Sequence, residues 1–337
     1  MNASTELNSV PAWDDDDESA DYNSAGPLLP AQRYVLPIEW AGWRLDQVLA
    51  KLYPDFSRSR LQTWVKAGQV QLNGKLAQSK LRINGGEQLD VAALSLPAST
   101  EHAPENIALD IVFEDEHILV LNKPAGLVVH PGHGNERGTL LNGLLHHAPD
   151  LATLPRAGIV HRLDKETSGL MVVAKTLLAQ TCLVRQLQAH EVGRHYWALV
   201  QGHVLRPGKV DARIARHPSQ RIKMAVSPGG REAVTHYRPV QHWAHCTWIE
   251  CRLETGRTHQ IRVHLNHIGH PLLGDPVYGA RRPHVNLPPF ARQALHAFRL
   301  GLTHPQTGEA CEWSVPLPAD FSALLTQLGT PLKKEDV

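Results

Sequence analysis

Cysteine is scarce: Cys182, Cys246, Cys251 and Cys311 are the only four in 337 residues, and no two form C-x-x-C. This argues against a disulfide scaffold and leaves buried thiols in a reducing cytosol as the reading. No run approaches the roughly 20 apolar residues of a membrane helix. The N-terminus lacks a basic stretch followed by an apolar one, so no signal peptide is expected and the expected location is cytoplasmic. Net charge is nearly missing too, with 34 Lys and Arg against 33 Asp and Glu, beside 21 His. Nucleotide-binding glycine motifs are absent. His259, His264, His267 and His270 invite a zinc reading, but H-E-x-x-H is absent and no Cys or carboxylate stands beside them at ligand spacing. Ser168 lies in Glu-Thr-Ser-Gly-Leu, which lacks the G-x-S-x-G elbow of a serine hydrolase.

The neutral average conceals an asymmetry. Residues 1–30 hold seven acids and no Lys or Arg, so residues 31–337 carry a formal +8. An acidic, Ser/Asn/Ala/Pro-rich start cannot bury enough apolar surface to fold. It reads as a disordered tail, whether a solubiliser or a competitor for a basic face. A Pro-containing stretch without apolar periodicity reads as a linker over 96–106. The expected organisation is a tail at 1–30, a small unit at 31–95, the linker, a large unit at 107–326 and a short tail at 327–337.

In the small unit, Leu45, Val48, Leu49 and Leu52 have helical spacing. A second helix is expected after Ser57 as N-cap, with Leu61, Trp64 and Val65 as its apolar stripe and Gly68 as its stop. Val70 to Lys75 alternates through Asn73-Gly74, a hairpin signal, and Glu87 to Val91 reads as a strand. Residues 31–94 carry nine Lys or Arg against five acids. Arg58, Arg60 and Lys66 fall near the second helix, and Lys75 and Lys80 near the hairpin. Such a cluster suits phosphate contacts, although a basic face can also be merely solvated. The segment resembles the S4 RNA-binding domain, and the resemblance implies RNA contacts by these five side chains.

The large unit reads as strand-rich: Ile107–Val112, His117–Leu121, Gly169–Ala174, Tyr196–Val200 and Trp248–Leu253 look like strands. Leu295–Leu302 and Ala310–Val315 look like a hairpin, while Thr176–Val192 and Thr258–Ile268 look helical. Strands and helices do not alternate regularly, so the fold class expected is α+β.

Four strings could carry chemistry. Residues 158–169 pass from a polar loop into an apolar strand, and Asp164 lies between Arg162 and Lys165, which favour its ionised form. A structural Asp–Arg pair would look the same. Residues 253–265 place His259, Arg262 and His267 on approximate helical faces after Gly256 and a cap at Thr258. Arg262 there can grip a carboxylate, or the helix can simply have a polar face. Tyr196, in the string 194–200, can stack on a base or donate a proton, or pack at the edge of a core. Residues 122–132 read as a strand, a turn and a short apolar strand.

Together these strings resemble the RluA-type pseudouridine synthases. His-Arg-Leu-Asp-x-x-Thr-Ser-Gly falls on 161–169, Tyr-x-Ala on 196–198 and Thr-Gly-Arg-Thr-His-Gln-Ile-Arg-Val-His on 255–264. The resemblance runs over about 105–326. With an S4-like unit ahead, the chain looks most like the branch that modifies large-subunit ribosomal RNA. It implies a catalytic domain with a mixed, mostly antiparallel central sheet and a cleft, preceded by a small α/β S4-like domain. It implies catalysis by Asp164, Tyr196 and Arg262, and substrate contacts by Arg162, His161, Thr167, Arg257 and His259. Arg162 is implied to help extrude the target uridine. Neither cofactor nor metal is implied. The partner implied is large-subunit ribosomal RNA or an assembling ribosomal particle, modified by a monomer at a stem-loop of the subunit interface. The alternative is a non-catalytic RNA-binding or ribosome-assembly protein.

Overall fold

The computed structural model describes residues 25–29, 31–53, 58–92, 94–97, 103–132, 135–220, 223–279 and 286–333, with backbone only for 25–29, 58–60 and 94–97. Ser57 and residues 1–24 of the expected tail lie outside the described residues. The chain divides into two units, Met1–Glu101 and His102–Val337. Inside the stretch read as tail, β1 (Ala25–Leu29) pairs antiparallel with β6 (Leu94–Pro97).

The smaller unit also holds β2 (Gln32–Val35), α1 (Leu45–Leu52), α2 (Arg58–Lys66), β3 (Val70–Leu72), β4 (Lys75–Leu76) and β5 (Gln88–Val91). The sheet order is β2-β5-β3-β4. The apolar stripes do what their spacing predicts: Leu45, Val48 and Leu49 meet Leu61, Trp64 and Val65 in one core. Asn73 (φ 50°) and Gly74 (φ 72°) both take left-handed conformations, the turn that Asn-Gly favours between twisted strands. Lys66, Lys75 and Lys80 are exposed. Arg58 and Arg60 lie in the first turn of α2, and their side chains fall outside what is described.

The larger unit is built on one nine-stranded sheet. Its strands are β7 (Ile111–Glu114), β8 (Ile118–Lys123), β9 (Ser168–Ala174), β10 (Gly193–Gln201), β11 (Gly208–Asp211), β14 (Val234–Trp243), β15 (Cys246–Leu253), β16 (Leu295–Thr303) and β17 (Ala310–Ser314). The strands β12 (Ile214–Arg216) and β13 (Met224–Val226) form a separate hairpin. The helices are α3 (Leu140–His147), α4 (Leu177–Gln188), α5 (Gln260–His267) and α6 (Ala319–Gln327). The sheet order is β11-β14-β15-β10-β16-β9-β8-β7, with β17 on β16. Every ladder in it is antiparallel except β16–β9. This is the mixed, mostly antiparallel α+β sheet that was expected.

All seven residues of β9 are buried, because its two faces feed different cores. Met171 and Val173 join a core with Leu140 and Leu144 of α3, while Leu170, Val172 and Ala174 join one with Ala179 and Leu183 of α4. Gly169 has φ 117°, and a Cβ there would stand 2.2 Å from the Ala297 carbonyl oxygen. Only glycine lets β16 approach β9 at the point where the polar loop of residues 161–167 ends.

Three expectations are corrected. The strand expected at Ile107 begins at Ile111, because Ile107 and Leu109 pack against Gly143 of α3 instead. The helix expected from Thr258 begins at Gln260, with His259 at the cap (φ 56°, ψ 20°). There the Gln260 Oε1 accepts the Arg257 amide (3.0 Å) and the Thr255 hydroxyl (2.7 Å), doing the tying expected of Thr258. The reading of buried thiols holds for Cys246 and Cys251 only; Cys182 and Cys311 are partly exposed.

Candidate active site

The loop of residues 161–167 enters β9, and α5 follows β15. Arg262 on α5 lies 98 residues from Asp164 in sequence, yet its Nη1 donates to Asp164 Oδ2 at 2.9 Å. The rest of the guanidinium is spent on Asp275, with Nε to Oδ2 at 2.7 Å and Nη2 to Oδ1 at 2.9 Å. Asp275 is itself fixed by the amides of Val277 (2.8 Å) and Tyr278 (2.9 Å). Side-chain exposure runs from 0% for Asp275 and 5% for Arg262 to 19% for Asp164. Thus Asp275 aims Arg262 from behind, and Arg262 aims a carboxylate that solvent can still reach.

Burial works against the Arg262 charge, but the hydrogen bonds to Asp275 and the charges of Asp164 and Asp275 outweigh it and raise its pKa above the usual arginine value. This guanidinium is a permanent cation at the site. His259 stands on the other side, its Nε2 3.9 Å from Asp164 Oδ1. Its Nδ1 lies 2.8 Å from the Tyr278 hydroxyl, which accepts the Met224 amide at 2.7 Å. Burial lowers the His259 pKa despite the neighbouring Asp164 carboxylate. His267, expected on the same face, is exposed at the far end of α5.

Tyr196 comes from β10 and shares a core with Ile249 and Ile261. Burial, opposed by Arg194, pushes its hydroxyl up to about 12. Arg194 is buried, donates from Nη2 to the Glu254 carbonyl (2.8 Å), and lies against Gly256.

The other expected residues take different places. His161 Nε2 accepts the Val172 amide (3.0 Å), and burial drives its pKa down to about 3, so it is neutral. Thr167 is buried; its amide donates to the Asp164 carbonyl (3.0 Å), and its hydroxyl accepts Gln293 Nε2 (3.1 Å). Arg257 donates Nε to the Glu232 carbonyl (2.9 Å). Arg162 is exposed beside Asp164.

Sequence reasoning missed Asp275 and Lys123 as site residues. Asp275 is the only acid between Glu254 and Glu309, in a stretch rich in arginine, and that signal was readable. Lys123 is fully buried and donates Nζ to the carbonyls of Pro124 (2.7 Å), Leu127 (2.9 Å) and Lys165 (3.0 Å). A lysine closing an apolar strand before a proline was its only trace. No group of three or more metal-capable side chains clusters among the described residues. Nor is any described helix long and apolar enough to cross a membrane.

Comparisons with known proteins bear on this geometry. The family model for RNA pseudouridylate synthases matches residues 117–267, and that for the S4 domain matches 43–89. The chain is 53% identical to ribosomal large subunit pseudouridine synthase D of Pasteurella multocida, over 85% of this chain and 91% of that one. It is 53% identical to the protein of the same name in Escherichia coli O157:H7, over 84% and 90%. Among solved structures, human RNA pseudouridylate synthase domain containing 4 is 27% identical with a TM-score of 0.53, over 65% of this chain and 92% of that one. With identity above one half across most of both chains, this chain belongs to the RNA pseudouridylate synthase family.

Proposed function

We propose that this protein isomerises uridines of large-subunit ribosomal RNA to pseudouridine, with Asp164 as the catalytic carboxylate. The observation that carries the reading is the pairing of a solvent-accessible Asp164 with the buried, fully engaged Arg262. A carboxylate so held has one oxygen fixed and the other directed at a reacting atom. Its relatives' names supply the RNA class.

The reaction balances without any co-reactant. The C–N bond between uracil and ribose breaks, the base turns, a C–C bond forms, and the proton on the new bonding carbon moves to the freed nitrogen. Asp164 can add to the nucleoside or assist departure of the uracil. Tyr196 keeps its proton through neutral pH, stacks on the base and can pass that proton on. Arg262 holds Asp164 in aim, and His259 borders it. His161 and Thr167 shape the loop. Arg162, exposed two residues before Asp164, fits the side chain that enters the RNA, where unstacking costs a few kcal/mol. The exposed Lys66, Lys75 and Lys80, with Arg58 and Arg60, suit phosphate contacts in the smaller unit. We take the protein to act as a cytoplasmic monomer.

Asp164→Asn preserves shape and removes the charge. Tritium release from labelled uridine in large-subunit RNA should vanish while RNA binding persists. Release at the parental rate refutes the assignment and favours the non-catalytic, ribosome-assembly reading.

A further inference from the structure

Three residues outside the stretch matched by the family model reach back to the Asp164 loop. Arg292, Gln293 and His296 occupy the entry to β16 and are 5%, 1% and 1% exposed. Arg292 Nη1 donates to the Glu166 carbonyl at 3.0 Å. Gln293 Nε2 donates to the Thr167 hydroxyl at 3.1 Å. His296 Nδ1 lies 2.9 Å from the Ser168 hydroxyl. One short segment therefore grips three consecutive residues, 166, 167 and 168. The Thr167 amide in turn donates to the Asp164 carbonyl at 3.0 Å, so a shift of this segment moves Asp164.

The grip has its own anchor. Arg292 Nε and Nη2 donate to the two carboxylate oxygens of Asp320, at 2.7 and 3.0 Å. Asp320 lies in the first turn of α6, where the Phe321 amide (2.7 Å) also holds it. Its side chain is 48% exposed, while that of Arg292 is 6% exposed. A bidentate pair fixes the guanidinium plane as well as its position, and so fixes where Nη1 points. Phe290 stacks near the guanidinium at 5.1 Å.

We propose that Arg292, Gln293 and His296 form a clasp that positions the Asp164 loop for the isomerisation, anchored by Asp320 on α6. The proposal rests on Asp164 being the catalytic carboxylate. None of the clasp residues is a catalytic residue; each acts through the loop backbone or through Thr167 and Ser168. The C-terminal helix is then part of the reaction's scaffold. If the same contacts only held β16 to β9, their loss would appear in stability and leave the chemical step of the folded protein alone.

The test is single-turnover pseudouridine formation with full-length protein in excess over deproteinised large-subunit RNA, beside RNA affinity and thermal unfolding. Gln293→Ala and Asp320→Asn should stay folded, bind RNA within about twofold of the parent, and form pseudouridine about tenfold more slowly. Arg292→Ala should lose about 100-fold, the scale of a reacting group misplaced by about 1 Å. Arg292→Lys, and added guanidinium with Arg292→Ala, should recover part of that rate. Parental rates in folded Gln293→Ala and Asp320→Asn overturn the clasp, as does a rate loss fully matched by lost RNA affinity. Asp164→Asn run alongside separates the two ideas. If it still isomerises RNA, the underlying reading fails; if it is dead while the clasp variants run at the parental rate, only the clasp fails.

Discussion

Two sets of charged side chains, one in each unit, stand in opposite settings. In the smaller unit, Lys66, Lys75 and Lys80 stand exposed. In the larger unit, Lys123, Arg194, Arg262, Asp275 and Arg292 are all buried. An exposed cation is cheap to keep and screened by salt; it attracts phosphates without caring about their sequence. A buried one is expensive, and its cost is offset only by close partners in fixed directions. On the proposed function, the difference separates gripping RNA from aiming a carboxylate.

Removing one partner of the buried set should give the largest effect. Asp275 accepts two hydrogen bonds from Arg262 and has no exposed side-chain surface. Asp275→Ala leaves a buried guanidinium half-satisfied, which costs about 3–5 kcal/mol. The larger unit's urea transition should shift accordingly, and pseudouridine formation should be lost. A shift below about 1 kcal/mol breaks the contrast, because it matches what surface substitutions do.

What the sequence made legible follows the same division. The buried strand at Gly169–Ala174, the paired helices of the smaller unit and the Asn73-Gly74 turn rest on local periodicity and turn chemistry, and all are found. Asp164, Arg262 and Tyr196 were reachable through motif resemblance. Asp275 and Lys123 were harder, because their partners are set by tertiary contact. Nothing local says that Lys123 Nζ meets the Lys165 carbonyl, 42 residues away. The left-handed His259 was misplaced for a related reason: the side chain of Gln260 ties that turn, and cap rules look for Ser, Thr, Asp or Asn.

The exposed set gives the middle effect, on binding. Each phosphate contact contributes about 0.7–0.9 to the slope of log affinity against log salt. Replacing Lys66, Lys75 and Lys80 together by alanine should flatten that slope by about 2–3 and weaken binding at low salt. The single-turnover rate at saturating protein should be unchanged. An unchanged slope removes these lysines from the RNA interface; a slower chemical step erases the division between grip and aim.

Lys123 sharpens the contrast most finely, being the same residue type in the opposite setting. Burial pushes its pKa from 10.5 down to about 7, against the pull of Asp164 and Glu166 and helped by Arg292. Between those two values the unfolded chain binds the proton that the folded chain has given up. Stability attributable to this group therefore rises with pH across that window and is flat below it. Lys123→Met cannot titrate, and other groups cancel in the difference between parent and variant. From pH 7 to pH 9, urea midpoints should show the parent gaining on Lys123→Met by on the order of 1 kcal/mol per pH unit, with parallel curves below pH 7. A difference that stays flat from pH 7 to pH 9 would mean that the three carbonyls around Nζ hold the ammonium form at least as strongly as burial opposes it. Lys123 would then be a fixed charge like Arg262.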